Sequence, residues 1–390
     1  MFVVFAGLHK AALRIALLFT ALLLSACVDG GTGSGPRINT AAPVQVALLV
    51  PAASQQPGDQ IMAQNLENAA RLAIADLQDV QIDLRVYATD GNPAQAAEMA
   101  RLAVNDGAKI LLGPLYGQSA SAAGAAVANR NVNVLAFSNN TAVAGGNIFV
   151  LGQTFENTAD RLVAYAQSQG KGSIAVVYGQ TPSEEFGRDA ITGAIARKGA
   201  ILAASSGFEM SQQGVIDAVP LITESVALTG AQSVFFTSDN AGAMVLLQQL
   251  LPEKGLGPDT TQYIGLTRLD IPASSLELRG LQGSWFAIPD QGMSNGFSTR
   301  YTAAYGQPPH VRAGLAYDGI AAIGALIQAG DSNALNARGL TRPEGFAGVS
   351  GIFRLFNDGT NERGLSIATI QDSQVLEIDP APRAFGGPGF

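Results

Sequence analysis

Apolar residues along this 390-residue chain switch repeatedly between strand-like and helix-like spacing, and the switching predicts its elements. Val44–Val50 is a compact apolar run, as a strand buried on both faces requires. After a turn-rich stretch, residues 60–77 place Ile61, Leu66, Ala69, Ala70, Ala73 and Leu77 at helical intervals. Ile82, Leu84 and Val86 then alternate as a strand. Residues 93–106 are alanine-rich and helical, with Pro93 suited to the first turn. A strand over 109–112, a helix over 119–130 and a strand over 132–137 follow. The same rhythm resumes with helices at 154–169, 183–198, 215–229 and 241–251, and strands at 173–178, 200–208 and 233–237. Strand–helix–strand units at this spacing imply parallel sheets joined by right-handed crossovers.

The predicted fold class is therefore α/β, with two doubly wound parallel-sheet lobes. Such lobes bind ligands at the carboxyl ends of their strands, which here face a shared cleft. After Gln282-Gly283-Ser284-Trp285-Phe286 the rhythm changes. A helix over 292–305, Pro308-Pro309 and a long apolar helix over 313–329 precede short strands at 351–356, 365–371 and 374–378. Residues 381–390, with Pro382 and Gly386-Gly387-Pro388-Gly389, read as a loose tail.

The amino end follows a different plan. Lys10 and Arg14 precede an apolar run over 15–24, then Leu24-Ser25-Ala26-Cys27. Charge, apolar core and small residues in that order read as a secretory signal, residues 1–26. The run is too short to span a bilayer about 30 Å thick. The cysteine after Leu-Ser-Ala resembles the bacterial lipobox, which implies cleavage before Cys27 and lipidation of its sulfur. Cys27 is the chain's single cysteine, so no intramolecular disulfide is available. Residues 27–43, rich in Gly, Ser, Thr and Pro, read as a flexible tether. In lipoproteins of this type an Asp directly after the cysteine marks inner-membrane retention. Val28 stands there, so the resemblance favours the outer membrane, facing the periplasm.

Composition narrows the partners. The chain carries 23 basic and 31 acidic residues, net −8; loss of Lys10 and Arg14 with the signal makes it −10. That balance argues against nucleic acid and against anionic lipid as electrostatic partners. With 47% hydrophobic and 14% charged residues the body can bury a large core, so global disorder is excluded.

Several motifs carry a family resemblance. They are Leu112-Gly113-Pro114-Leu115 with Ser119, Val134-Leu135-Ala136-Phe137-Ser138-Asn139-Asn140-Thr141, and Tyr178 through Glu185-Phe186-Gly187-Arg188-Asp189. Ala316-Tyr317-Asp318-Gly319 after Pro309 and Gly348-Val349-Ser350-Gly351-Ile352-Phe353 complete the set. In order and spacing they resemble the type I periplasmic-binding fold of the branched-chain amino-acid receptors (leucine-binding-protein-like). The resemblance runs from about 44 to 378. It implies two lobes joined by three crossovers, 43–152 plus 287–342 and 153–286 plus 343–380.

The resemblance also implies site residues. Gln118, Ser119, Ser138, Asn139, Asn140 and Thr141 occupy the first-lobe loops that hold a ligand carboxylate, near a helix amino end that favours an anion. Ser119 as a helix cap and Asn139-Asn140 as a turn account for the same residues equally well. Phe186 falls where these receptors set an aromatic ring against the ligand. The acid that holds the ligand ammonium falls on Gly242, with Asp239 the nearby substitute or merely a cap. A buried ammonium without an anion is costly, so this departure counts against a zwitterionic ligand.

Catalysis finds no constellation. Outside the signal, His310 is the sole histidine, and no nucleophile elbow accompanies it. No metal-binding cluster and no phosphate-cradling loop is present, so no metal and no cofactor is expected. Ser168-Gln169-Gly170-Lys171 matches a Ser-x-x-Lys motif but sits at a helix end. The chain is expected to be non-catalytic.

Three functions fit. The favoured expectation is a lipoprotein similar to the activators of class A penicillin-binding proteins, regulating peptidoglycan synthesis by binding the synthase. Val28, the loss of the acid at Gly242, and the ending Gly359-Thr360-Asn361-Glu362-Arg363 followed by Gln374-Val375-Leu376 lean that way. Residues 28–43 cannot hold the helical-repeat domain that the best-known activators carry. The alternative is a solute-binding lipoprotein that serves an ABC permease, taking an amino acid or related small polar solute. The third is a ligand sensor whose closed form engages another envelope protein.

Overall fold

The structure, a computed structural model, describes residues 35–386. The signal, Cys27 and residues 28–34 lie outside the described residues, as do 387–390. Strands β1 (Val44–Val50), β2 (Ile82–Ala88), β3 (Ile110–Leu112), β4 (Val134–Ala136) and β5 (Ile148–Val150) form one wholly parallel sheet in the order β2-β1-β3-β4-β5. Helices α1 (Asp59–Asp76), α2 (Pro93–Asn105) and α3 (Gly117–Val127) make the crossovers. Asn92 starts α2 by accepting hydrogen bonds from the Ala94 and Gln95 N–H groups, ahead of Pro93. All seven residues of β1 are buried, because each face meets a separate core. Val46, Leu48 and Val50 pack with Leu66 and Ala69 of α1, and Ala47 and Leu49 pack with Ala100 and Ala123 of α2 and α3.

The second lobe repeats the scheme. Its helices are α4 (Phe155–Ser168), α5 (Pro182–Lys198), α6 (Gln212–Thr229) and α7 (Met244–Glu253). Its parallel strands are β6 (Ser173–Gly179), β7 (Ile201–Phe208), β8 (Ser233–Phe236), β9 (Gln262–Gly265) and β10 (Trp285–Ile288). Trp285 meets Tyr165 of α4 edge-on, ring centroids 4.8 Å apart. The chain then returns to the first lobe through α8 (Gln291–Tyr305), α9 (Gly314–Gln328) and the short α10 (Ala337–Leu340). A small antiparallel sheet follows, β11 (Phe346–Gly348), β12 (Gly351–Leu355) and β13 (Asn361–Arg363). Finally β14 (Ser366–Gln371) and β15 (Gln374–Asp379) complete a seven-stranded second sheet, β15-β14-β10-β9-β8-β6-β7, with the last two strands antiparallel to their neighbours. The fold class is the expected α/β arrangement of parallel sheets and covering helices.

Three boundaries differ from the sequence reading. Residues 346–355, assigned to the second lobe, pack into the first: Phe346, Val349, Phe353 and Leu355 join the core of α1, α8 and α9. The described part of the tether, 35–43, is docked. Ile38 is 6% exposed in that same core, and its N–H bonds the Ser332 carbonyl at 2.9 Å. Nor are residues 381–386 loose. Ala381 is buried with its N–H on Ser366 Oγ, and Arg383 pairs with Asp290 at 3.0 Å. In each case a few residues find partners far away in sequence.

Three crossovers connect the lobes, after β5, after β10 and after β13, and buried polar side chains knit them together. Asn361 Nδ2 donates to the Val150 and Gly152 carbonyls at 2.8 and 2.9 Å. Arg363 donates to the Leu151 carbonyl and to Asp318 Oδ2, each at 2.9 Å, and lies over the Phe353 ring. Asp318 on α9 is 0% exposed and also accepts the Val349 N–H at 2.7 Å. Burial pushes the Asp318 carboxyl upward, opposed by the Arg363 guanidinium.

Candidate functional site

The carboxyl ends of both parallel sheets carry the loops around the space between the lobes. The loop after β4 is held by its own side chains. Ser138 Oγ accepts the Asn140 N–H at 3.1 Å, and Asn140 Oδ1 accepts the Ala142 N–H at 2.9 Å. Thr141 Oγ1 reaches across to Glu156 Oε1 of α4 at 3.1 Å, a direct bond from a first-lobe loop to a second-lobe helix. Asn139 is exposed at the tip. Glycine is needed close by: a Cβ on Gly152 would stand 2.6 Å from the Ser138 carbonyl oxygen.

Three cavities touch this loop; one, about 460 Å³, does so only at Thr141, beside Glu156 and Asn361, and the remaining two reach further along it. One, about 510 Å³, lies between Asn139, Asn140, Thr141 and Ala142 on one side and Phe155, Glu156, Ser183, Phe186 and Ala190 on the other. The other, about 200 Å³, sits at the hinge base between Ser138, Asn139, Gly152, Pro289, Arg312 and Arg363. Of the residues expected to hold a ligand, Ser138, Asn139, Asn140, Thr141 and Phe186 are thus brought together. Phe186 is 66% exposed, so its ring faces open space.

The other three stand apart from both cavities. Gln118 is exposed on α3. Ser119 does not cap α3: the helix begins at Gly117 after Tyr116, and the Ser119 hydroxyl is buried with no hydrogen-bond partner. No side chain caps α3, which leaves its first-turn N–H groups uncovered by a side chain. Asp239 is exposed and accepts the Ala241 N–H at 3.0 Å, so its carboxylate serves its own turn.

Four groups escaped the sequence reading. Glu184, near the start of α5, takes three hydrogen bonds on Oε2, from Gly179 N, Thr237 Oγ1 and Ser238 Oγ, at 2.6–2.7 Å. That places a carboxylate at the carboxyl ends of β6 and β8. Thr267, after β9, buries an unpartnered hydroxyl. Tyr116 donates to Asp59 Oδ1 at 2.5 Å; burial first and this bond second push the phenol up to about 12. Arg312, in the loop entering α9, faces the hinge cavity. The only available signal was position: each sits within a few residues of a strand end or a helix start. His310 accepts the Arg312 N–H on Nδ1, and burial and the Arg312 charge lower its pKa. Among the described residues no group of three or more His, Cys, Asp or Glu is placed to hold a metal ion. No described helix is long and apolar enough to cross a membrane.

Two hinged α/β lobes with donor-lined cavities between them define a solute-binding architecture. The chain belongs to the family described as "Periplasmic binding protein", whose profile matches residues 43–374. Curated proteins give no match. Solved structures share the fold. A putative branched-chain amino acid ABC transporter protein from Rhodospirillum rubrum aligns at TM-score 0.73 and 16% identity, over 86% of this chain and 100% of that one. An ABC transporter substrate-binding protein from Desulfitobacterium hafniense, solved with Leu, aligns at 0.60 and 15%, over 86% and 100%. A solute-binding protein from Rhodopseudomonas palustris BisB5, solved with 3,4-dihydroxybenzoic acid, aligns at 0.58 and 16%, over 87% and 96%. The fold is leucine-binding-protein-like, and the family is one of periplasmic proteins.

Proposed function

We propose that the protein is a non-catalytic solute-binding component of an ABC importer, taking a small polar solute such as an amino acid or an organic acid. The observation that carries this reading is the cavity of about 510 Å³ between loop 139–142 and α5, within the size range of small-molecule sites. Family membership over 43–374 and relatives solved with leucine and with 3,4-dihydroxybenzoic acid support it. The partner is then an ABC permease, and Cys27 supplies the lipid anchor that holds the body at the membrane facing the periplasm.

Thermal melting against common amino acids, their amides, aromatic carboxylates and peptidoglycan fragments tests the reading. A ligand at 100 times its Kd raises stability by about 2.7 kcal/mol. An upshift with any amino acid or organic acid is the expected result; none with any solute overturns the reading.

Regulation of a class A penicillin-binding protein from the outer membrane is the second reading. Val28 favours it, as does Gly242 at the position where the receptors carry the acid that holds a ligand ammonium. Capture of the synthase by a melting-silent protein is the result that would move this reading to first place.

A further inference from the structure

We propose that Arg312 anchors an anionic group, so that the space between the lobes selects carboxylate solutes; the inference deepens the solute-binding reading and rests on it. Arg312 lines the hinge cavity beside Ser138 and Asn139. It is exposed and takes part in no ion pair among the described residues. The groups that feel its charge are Tyr116 and His310. Neither supplies an anion near pH 7. The acid behind Tyr116, Asp59, accepts the Tyr116 hydroxyl on Oδ1; its buried Oδ2 has no hydrogen-bond partner, and it forms no ion pair with Arg312.

No acid lines the hinge cavity itself; Glu156 and Asp189 of the second lobe line the neighbouring cavity of about 510 Å³, where Glu156 accepts Thr141 Oγ1 and Asp189 pairs with Arg188. Asp239 is committed to Ala241 N–H, and Glu184 Oε2 to three donors. Closing the lobes strips water from Arg312, and a desolvated guanidinium without an anion is costly. A carboxylate removes that cost, because its two oxygens match the guanidinium fork. The free donors around it, Asn139 among them, suit the same group. Charge on the solute is thereby coupled to closure, and a neutral amide of the same shape cannot supply it.

The test is calorimetric titration of the purified full chain and of Arg312→Gln and Arg312→Lys. The probes are leucine and 3,4-dihydroxybenzoate, each against its primary amide. The wild type is expected to bind one of these acids at least about tenfold more tightly than its amide. Arg312→Gln should lose about 10- to 100-fold for that acid and leave the amide unmoved, with Arg312→Lys in between. The melting temperature without ligand should stay at the wild-type value, since the side chain is exposed and unpaired. Equal binding of acid and amide, or acid affinity unmoved in Arg312→Gln, overturns the inference and leaves the solute-binding reading standing. If no solute of the wider melting panel binds the wild type, both fall together.

Discussion

Arg363 and Arg312 line one cavity and live under opposite rules. Arg363 is 5% exposed, and its guanidinium is committed to the Leu151 carbonyl, to Asp318 and to the Phe353 ring. Arg312, a few residues before α9, is exposed and unpaired among the described residues. The buried arginine fastens the crossovers; the open one is available to something that arrives. Sequence alone does not separate them, because each is a lone arginine just before a small residue, Ala313 or Gly364. Only the partners tell which charge holds the fold and which awaits a ligand.

The contrast can be broken at its buried end first. Asp318→Ala strands Arg363 without an anion, and breaking such a pair costs about 3–5 kcal/mol. Chemical denaturation should show a loss of that order, while Arg312→Ala stays within about 0.5 kcal/mol of wild type. Equal effects would dissolve the distinction. Next in size is Gly152→Ala, which sets a methyl against the Ser138 carbonyl and the Asn139 N–H, at 2.6 and 2.8 Å. Overpacking of this kind costs about 1–3 kcal/mol, and displacement of loop 138–141 should weaken solute binding as well. A destabilised protein with unchanged affinity would detach the loop from the site.

The smallest effect sharpens the open end. Tyr116 is pushed from 10.0 up to about 12 in the folded protein. A raised folded value means the stabilisation is whole below pH 10 and is lost as pH climbs through about 12. Tyr116→Phe should flatten that alkaline decline in denaturation curves taken across this window. An unchanged slope would show that Tyr116 is not the group responsible.

Much of the architecture was legible because buried parallel strands need continuous apolar runs. Val44–Val50 has the same bounds in sequence and structure. The three-residue β5 and the four-residue β9 and β10 were not anticipated, although β3, β4 and β8 of the same lengths were, because such short runs carry no period and are legible only where the flanking helices frame them. The docking of 35–43 turns on Ile38 and on Gly35 against the Leu335 backbone, and the placement of 346–355 on where Phe346 and Phe353 find a core. Both are tertiary choices that local pattern does not encode. At the site, loop 138–141 was legible as the end of a strand. What its side chains do was not: Ser138 and Asn140 brace their own backbone, and Thr141 bridges the lobes. Arg312 and Glu184 were missed because no motif marks them, only their position in three dimensions.

The edge-on pair of Trp285 and Tyr165 has a practical consequence. Trp285 is the chain's single tryptophan, and β10 runs from it straight into the second crossover. Its emission therefore comes from one known place, the second lobe's own core, at the far end of β10 from the crossover. A solute that merely occupies the space between the lobes should leave that glow untouched. Loosening of the second lobe should change it, giving the molecule a built-in optical gauge of that lobe's integrity that needs no label.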